Sequence, residues 1–302
     1  MTREGADSVP DARGLIERGV RLERGGVMDE ALRTFVEAAH HATTPAELSE
    51  ALRHQADVHR VRCDWEAAIL RAEAAEAVAR EAGLGAQAAE AINARAAVAQ
   101  SRGNHGAANE LYTEALGLTS DARVRGCSLQ NLGALAAMTG DHDAAAGYFE
   151  GSLDCFREQG YARGIAIALN NVGRSSLDRG DFVRAEEVLA DAVTQARQIE
   201  DLDLAAVALV NLAEALTARG DLERAEEEAS AALGFFKVSG NIWRQIECLK
   251  ILGDARRVRG QPDIAFRLYD QARLLAERIG EAHEMGQIAA RMRTLEPLPD
   301  SP

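Results

Sequence analysis

The sequence predicts an all-α fold built from seven consecutive helix–turn–helix units. Hydrophobic residues make up 47% of the 302 residues and aromatic residues only 4%, so much of the apolar share is alanine, which favours closely packed helices. A turn-forming residue recurs at a spacing of 37 or 40 residues. Small residues occupy the same positions relative to each turn, and such self-similarity at a fixed period is typical of repeat architectures.

The turns define the frame of the repeat. The turn anchors are Gly26, Cys63, Gly103, Gly140, Gly180, Gly220 and Gly260. Glycine ends the first helix of each unit, helix A, because it accepts a left-handed backbone conformation. In five units the next residue is Asp64, Asn104, Asp141, Asp181 or Asp221. These side chains can cap the first turn of the second helix, helix B.

Both helices of the unit carry small residues at fixed places. Five positions after the anchor, helix B has Ala31, Ala68, Ala108, Ala145, Ala185, Ala225 or Ala265. Positions nine and twelve after the anchor fall on the same helical stripe and are mostly apolar or small. Seven positions before the anchor, helix A has Gly19, Ala56, Ala96, Gly133, Gly173, Ala213 or Gly253. We expect a larger side chain to pack onto this small residue.

Composition excludes several classes of function. The net charge of −14 argues against general nucleic-acid binding, which needs a basic face, and it disfavours anionic membranes. The N-terminal segment has no apolar signal-peptide core, and no run of residues is apolar enough to span a bilayer. The four cysteines form no CxxC pair, so neither a zinc site nor a disulfide framework is indicated. We expect a cytoplasmic protein that does not bind membranes.

These features resemble the tetratricopeptide repeat: a small residue in helix A, a glycine turn, and then alanine, an aromatic or apolar residue and a small residue along helix B. The units are about six residues longer than the standard repeat and lack the proline that ends helix B. They are similar to the longer repeats of bacterial maltose-activator-type regulators and kinesin light chains. The resemblance implies a right-handed superhelical α-solenoid with helix A on the concave wall. We expect one solenoid over residues 11–295 with a capping helix at 281–295, and disorder at 1–10 and 296–302.

In the resembled geometry, four positions of helix A point into the groove: three and two before the small residue, and one and four after it. Amide side chains occupy the first two positions in the central units. They are Asn93, Gln130, Asn131, Asn170, Asn171 and Asn211, here called the amide ladder. An amide offers a donor and an acceptor together, which matches a peptide backbone, and in the resembled family such asparagines hold extended ligands. Alternatively, these amides bridge neighbouring helices within the stack.

Charged and titratable side chains share these groove positions. The remaining candidate binding residues are Arg53, His54, Arg174, Glu214, Lys250 and Arg257. Both signs occur one helical turn apart, so some of these charges neutralise one another. Only one lysine is present in the set, which argues against the carboxylate clamp of chaperone-binding relatives.

No cluster of residues indicates catalysis, a metal or a cofactor. His54, His59 and Cys63 are spaced so that they spread around a helix instead of meeting at one metal ion. Cys127 lies on the predicted groove side but has no histidine at helical spacing to activate it. No phosphate-binding glycine loop precedes a helix. We therefore expect a protein that is not an enzyme.

Three functions are consistent with these features. The first is a scaffold or receptor that binds an extended peptide or a segment of a partner protein in the groove. The second is a regulatory sensor of a signalling or transcription system that acts through a partner. The third is a small-molecule-binding or enzymatic adaptation of the groove, since a fold does not determine a function. The oligomeric state is open between a monomer and a homodimer.

Overall fold

A computed structural model describes residues 11–295, which form fifteen α-helices and no strand. The chain divides into two compact units, residues 1–141 and 142–302. The first unit contains α1 (Ala12–Arg24), α2 (Met28–His41), α3 (Pro45–Val61), α4 (Trp65–Glu81), α5 (Gly85–Ser101), α6 (His105–Leu118) and α7 (Ala122–Met138). The second contains α8 (His142–Glu158), α9 (Ala162–Asp178), α10 (Phe182–Gln198), α11 (Leu202–Arg219), α12 (Leu222–Ser239), α13 (Ile242–Val258), α14 (Pro262–Ile279) and α15 (Ala282–Arg293).

Within the two units, α1 packs with α2, α3 with α4, α5 with α6, α9 with α10, α11 with α12 and α13 with α14, as the sequence predicts. The all-α solenoid fold is confirmed. Odd-numbered helices α1 to α13 are the A helices, and each is followed by its B helix after a turn at the predicted anchor. All seven anchors have positive φ. Cys63 stands at φ 59° where the other units use glycine. That the repeats form one continuous solenoid over residues 11–295 remains a prediction.

The capping residues after the anchors are only partly as predicted. Asn104 and Asp181 each accept a hydrogen bond from the backbone N–H three residues later, at 3.2 Å in both cases, and Asp221 does so at 3.5 Å. The prediction was wrong for Asp64, which makes no capping hydrogen bond. Its carboxylate lies instead 3.1 Å from Nδ1 of His59, at the end of the preceding helix, and this neighbour competes with the helix N-terminus.

A large side chain does pack onto the small residue of helix A, and it comes from the B-helix position nine after the anchor. A Cβ atom added at Gly173 would lie 2.7 Å from Cδ2 of Leu189 and closer still to its Cγ. The aromatic rings of Phe35 and Tyr269 cover Gly19 and Gly253 in the same way. The glycines therefore let the two helices of a repeat approach closely.

Within each unit, the A helices form the inner layer. Helix α3 packs against α1 and α5, and α5 against α7; in the second unit α11 packs against α9 and α13. The B helices of neighbouring repeats are not in comparable contact anywhere in residues 11–295. The A helices therefore present a shared face in each unit, and the sequence positions on that face decide what lines it.

Helix α15 lies where the sequence predicts the cap. It packs against α14, and its fully buried apolar residue is Ile288. The segments predicted to be disordered, 1–10 and 296–302, lie outside the described residues. Among the described helices, none combines the length and the apolar character that crossing a membrane requires.

Candidate partner-binding groove

The inner face of the second unit contains a cleft of about 450 Å³. Its floor is formed by Val210, Asn211 and Glu214 of α11 and by Lys250, Ile251 and Asp254 of α13. Arg174 of α9 and Trp243 of α13 border it, and Glu284, Gln287 and Arg291 of α15 form the opposite wall. Trp243 is 43% exposed, so a large aromatic surface is open to a ligand.

The repeat register explains why these residues line the cleft. Each floor residue occupies one of the helix A positions predicted to face the groove: three before, two before or one after the small residue. The fourth predicted position, occupied by Thr217 and Arg257, lines an adjoining cleft of about 480 Å³. The structure thus brings together five candidate binding residues, namely Arg174, Asn211, Glu214, Lys250 and Arg257.

The charged side chains of the cleft are paired with one another. Arg174 donates from Nη1 to Glu214 Oε2 at 2.7 Å and from Nη2 to Asp178 Oδ1 at 2.8 Å. Lys250 Nζ donates to Glu284 Oε2 at 2.7 Å and to Gln287 Oε1 at 3.2 Å. A ligand therefore meets a surface whose charges are already largely neutralised.

Asp254 connects three elements at the end of the cleft. Its Oδ1 accepts a hydrogen bond from the Tyr269 hydroxyl at 2.7 Å, and its Oδ2 accepts one from Arg291 Nε at 3.1 Å. Arg257 Nε lies 4.0 Å from Oδ1. Burial raises the pKa of the Tyr269 phenol, and the bond to Asp254 raises it further. The phenol therefore remains a hydrogen-bond donor that fixes the carboxylate.

Three members of the amide ladder bridge helices. Asn211 Nδ2 donates to Asn170 Oδ1 at 2.9 Å, which joins α11 to α9, and both residues are buried. In the first unit, Asn93 Nδ2 donates to Ser128 Oγ at 2.9 Å, which joins α5 to α7. These contacts are the ones expected from the structural interpretation of the ladder, and they occupy part of the hydrogen-bonding capacity of each amide.

The other three members of the ladder have open amides. Gln130, Asn131 and Asn171 are half-buried, and their side chains make no hydrogen bond within residues 11–295. Asn171 occupies in α9 the position that Asn211 and Ile251 occupy in the two following A helices. Asn211 and Ile251 both line the cleft. Its amide is therefore available to a ligand beside Arg174.

We expect the two classes of asparagine to differ in mutational cost. Asn211→Ala should lower the free energy of unfolding by about 1–3 kcal/mol, because it leaves the buried Asn170 Oδ1 without its donor. Asn171→Ala should be neutral or slightly stabilising, because alanine is the better helix former and no bond is lost. Chemical denaturation followed by circular dichroism measures both values. Equal costs for the two variants would contradict this division.

Arg53 and His54 lie on α3 in the first unit and are enclosed by other charged groups. Arg53 donates from Nη1 to Asp57 Oδ2 at 3.1 Å and from Nη2 to His54 Nε2 at 2.9 Å. The His54 ring stacks on Phe35 with 4.7 Å between ring centroids. Burial raises the pKa of Asp57, although Arg53 opposes that shift. Both candidates are therefore fixed by neighbours within the unit, and a ligand role for them remains a prediction.

Burial makes two of the four thiols less reactive. Burial raises the pKa of the Cys127 thiol, which lowers the fraction of nucleophilic thiolate. Burial also raises the pKa of Cys248, to about 12. Within residues 11–295, no group of three or more His, Cys, Asp or Glu side chains is placed to hold a metal ion.

Sequence reasoning missed several residues of the cleft. Trp243, Glu247 and Arg291 line it but were not among the candidates. For α13 a signal was available, because Trp243, Glu247, Lys250, Asp254 and Arg257 follow one another at three or four residues and share one helix face. Arg291 belongs to the cap, to which the groove positions were not extended, although it stands forty residues after Ile251.

Comparison with known proteins identifies the repeat. The family model described as tetratricopeptide repeat matches residues 164–237, which span α9 to α12. Residues 164–237 therefore match tetratricopeptide repeats. No curated protein matches the sequence.

Solved structures of tetratricopeptide proteins share the fold. One is a signal transduction ATPase with numerous domains from Pyrococcus horikoshii, which has a tetratricopeptide repeat sensor. It aligns with a TM-score of 0.70 at 14% identity, over 94% of this chain and 44% of that protein. A Rap protein complexed with competence and sporulation factor aligns with a TM-score of 0.60 at 16% identity, over 94% of this chain and 74% of Rap. A putative kinesin light chain from Podospora anserina aligns with a TM-score of 0.53 at 17% identity, over 63% of this chain and 95% of that protein.

The chain thus spans less than half of the signal transduction ATPase. At these identities the likeness concerns the tetratricopeptide fold alone. The tetratricopeptide fold is a protein-interaction or sensor scaffold.

Proposed function

We propose that the chain is a non-catalytic interaction scaffold or receptor that binds an extended peptide or partner segment on the A-helix face of its second unit. The observation that carries this proposal is the cleft between α11, α13 and α15, which is lined by an exposed tryptophan together with apolar and amide side chains. An aromatic side chain can anchor a peptide side chain, and amide groups can hydrogen-bond to the peptide backbone.

The proposed division of roles follows from the contacts. Asn171 can donate to and accept from a ligand backbone, and each such bond contributes about 0.5–1.5 kcal/mol net. The apolar side chains Val210 and Ile251, together with the Trp243 indole, would take an apolar ligand side chain. Because the charges of the cleft are paired internally, we expect weak selection for charged ligand residues.

A second candidate is a regulatory sensor module that acts through a partner protein. The likeness to a tetratricopeptide sensor within a signal transduction ATPase favours it, as does the likeness to a Rap protein that binds competence and sporulation factor. In this alternative the ligand changes how the chain engages its partner. Both candidates place the ligand in the same groove, in a cytoplasmic protein without a nucleic-acid or membrane role.

A peptide-display selection tests the proposal. Random peptides are selected on the purified chain, and their affinities are measured for Trp243→Ala, Asn171→Ala and the control Leu274→Ala, which truncates an exposed apolar side chain of α14. We expect Trp243→Ala to weaken binding about 30-fold, as loss of an aromatic anchor does, and Asn171→Ala about threefold to tenfold. The control should bind as the wild type does.

Two results would contradict the proposal. One is that the selected peptides bind both groove variants with unchanged affinity. The other is that no peptide is selected while a small molecule stabilises the chain and is lost with Trp243→Ala. The second result would favour a small-molecule site, for which a cleft of about 450 Å³ is large enough.

A further inference from the structure

The outward face of α15, the last helix of the described residues, differs from the polar outer face that a capping helix normally presents to solvent. The exposed residues of α15 include Ala282, Gly286, Ala289 and Ala290, which are small and uncharged. A Cβ atom at Gly286 would meet nothing within 4 Å, so this face is open.

Next to this face lies a largely apolar groove. Helix α14 contributes Pro262, Asp263 and Phe266, and α15 contributes Ala289, Met292 and Arg293, around a volume of about 380 Å³. Phe266 is 50% exposed. Arg293 stands forty residues after Gly253, at the place where every helix A has a small residue. A further helix B packed in the register of the repeats would collide with it.

The groove carries two opposite charges that lack partners. Asp263 and Arg293 line the same groove, yet neither side chain has an ion-pair partner among residues 11–295. In a two-fold symmetric contact the same patch faces itself, so Asp263 of one copy meets Arg293 of the other, and the reverse pair forms as well. The patch is therefore complementary to itself in charge, with an apolar centre at Phe266 and Met292.

We propose that this face, made by α14 and α15, is the interface of a homodimer in which two copies of the chain meet through a two-fold axis. The apolar centre supplies the attraction, and the two reciprocal Asp263–Arg293 pairs set the alignment. A contact made by one helix pair is small, so we expect a weak dimer. The interface leaves the cleft residue Trp243 and the groove position Asn171 to the ligand.

Sedimentation of the full chain over a range of concentrations at near-physiological salt, about 0.15 M, tests the proposal. We expect the 32.4 kDa monomer to convert to a species of twice that mass as the concentration rises. Ala289→Glu should weaken the association by roughly tenfold or more, because two-fold symmetry places the change in the interface twice. The control is Ala231→Glu, the same change at an exposed position of α12, and it should leave the association unchanged.

A charge-reversal pair makes the test independent of folding defects. Asp263→Arg and Arg293→Asp should each weaken self-association, because every reciprocal pair becomes repulsive. Mixed in equal amounts, the two variants should form a heterodimer, because each contact then joins an arginine to an aspartate. A chain that stays monomeric, a dimer that is insensitive to Ala289→Glu, or variants that fail to associate on mixing would overturn the proposal.

Discussion

Adding one methyl group at Gly173 is expected to lower the free energy of unfolding by about 1–3 kcal/mol, because the new Cβ collides with the side chain of Leu189. Leu189 is fully buried, so it has no free space to move into. Leu189→Ala alone should cost about 2–5 kcal/mol through the cavity it leaves. Thermal and chemical denaturation of the full chain measure both changes.

The double variant Gly173→Ala with Leu189→Ala should be less destabilised than the sum of the two single variants. The next repeat already uses this combination, since Ala213 and Ala229 stand at the equivalent positions and are both fully buried. Gly234→Ala is the control, because its Cβ would meet nothing within 4 Å and alanine should stabilise the exposed helix by about 0.5–1 kcal/mol. Strict additivity, or equal effects at Gly173 and Gly234, would refute the packing account.

Replacing Lys250 with methionine is expected to destabilise the C-terminal repeat by about 3 kcal/mol, because a buried carboxylate loses its partner. The Glu284 side chain is 4% exposed and that of Lys250 is 12% exposed. At the position equivalent to Glu284, the earlier A helices have Glu47, Gln87, Val124, Gly164, Leu204 and Arg244, of which only Val124 and Gly164 are buried. The cap is thus attached through an ion pair whose carboxylate is buried, whereas the charged residues Glu47 and Arg244 at that position are only partly buried.

The matched variant removes both charges. Lys250→Met with Glu284→Leu should recover most of the stability or exceed the wild type, because well-packed apolar residues often replace a buried ion pair without loss. Hydrogen exchange of the α15 amides, compared with those of α13, shows whether the effect is confined to the cap. If Lys250→Met leaves α15 as well protected as in the wild type, the ion pair does not hold the cap.

The fold could be predicted from the sequence because the same pattern of turn and small residues recurs in seven repeats. Each turn anchor, each small residue of helix A and each helix B alanine is weak alone, but their common spacing leaves one consistent assignment. The packing partner of Gly173 follows from the same frame. The prediction failed at the Asp64 cap because His59, five residues earlier, competes for the carboxylate. In the seventh repeat the equivalent Arg256 contacts Gln261 in the same way, and Gln261 also makes no capping hydrogen bond.

The face that lines the cleft follows from the sequence, but the contacts within it do not. The register placed Asn211, Glu214, Lys250 and Arg257 on the face that lines the two adjoining clefts. The register could not show that Asn170 is hydrogen-bonded to Asn211 while the adjacent Asn171 is not, because this bond depends on the distance between α9 and α11. The contacts of α15 to Lys250 and Asp254 were also not predicted, because the groove positions were not extended to the cap.

The central claim is that a partner or peptide lies on the A-helix face of the second unit. Its most direct test is a photo-crosslinking amino acid placed at Asn171 in the groove, with the same residue at Ala231 on the exposed face of α12 as control, in the cells that produce the chain. We expect a specific crosslinked species from position 171 that Trp243→Ala removes, and none from position 231. A partner captured equally from both positions, or from position 231 alone, would contradict the account.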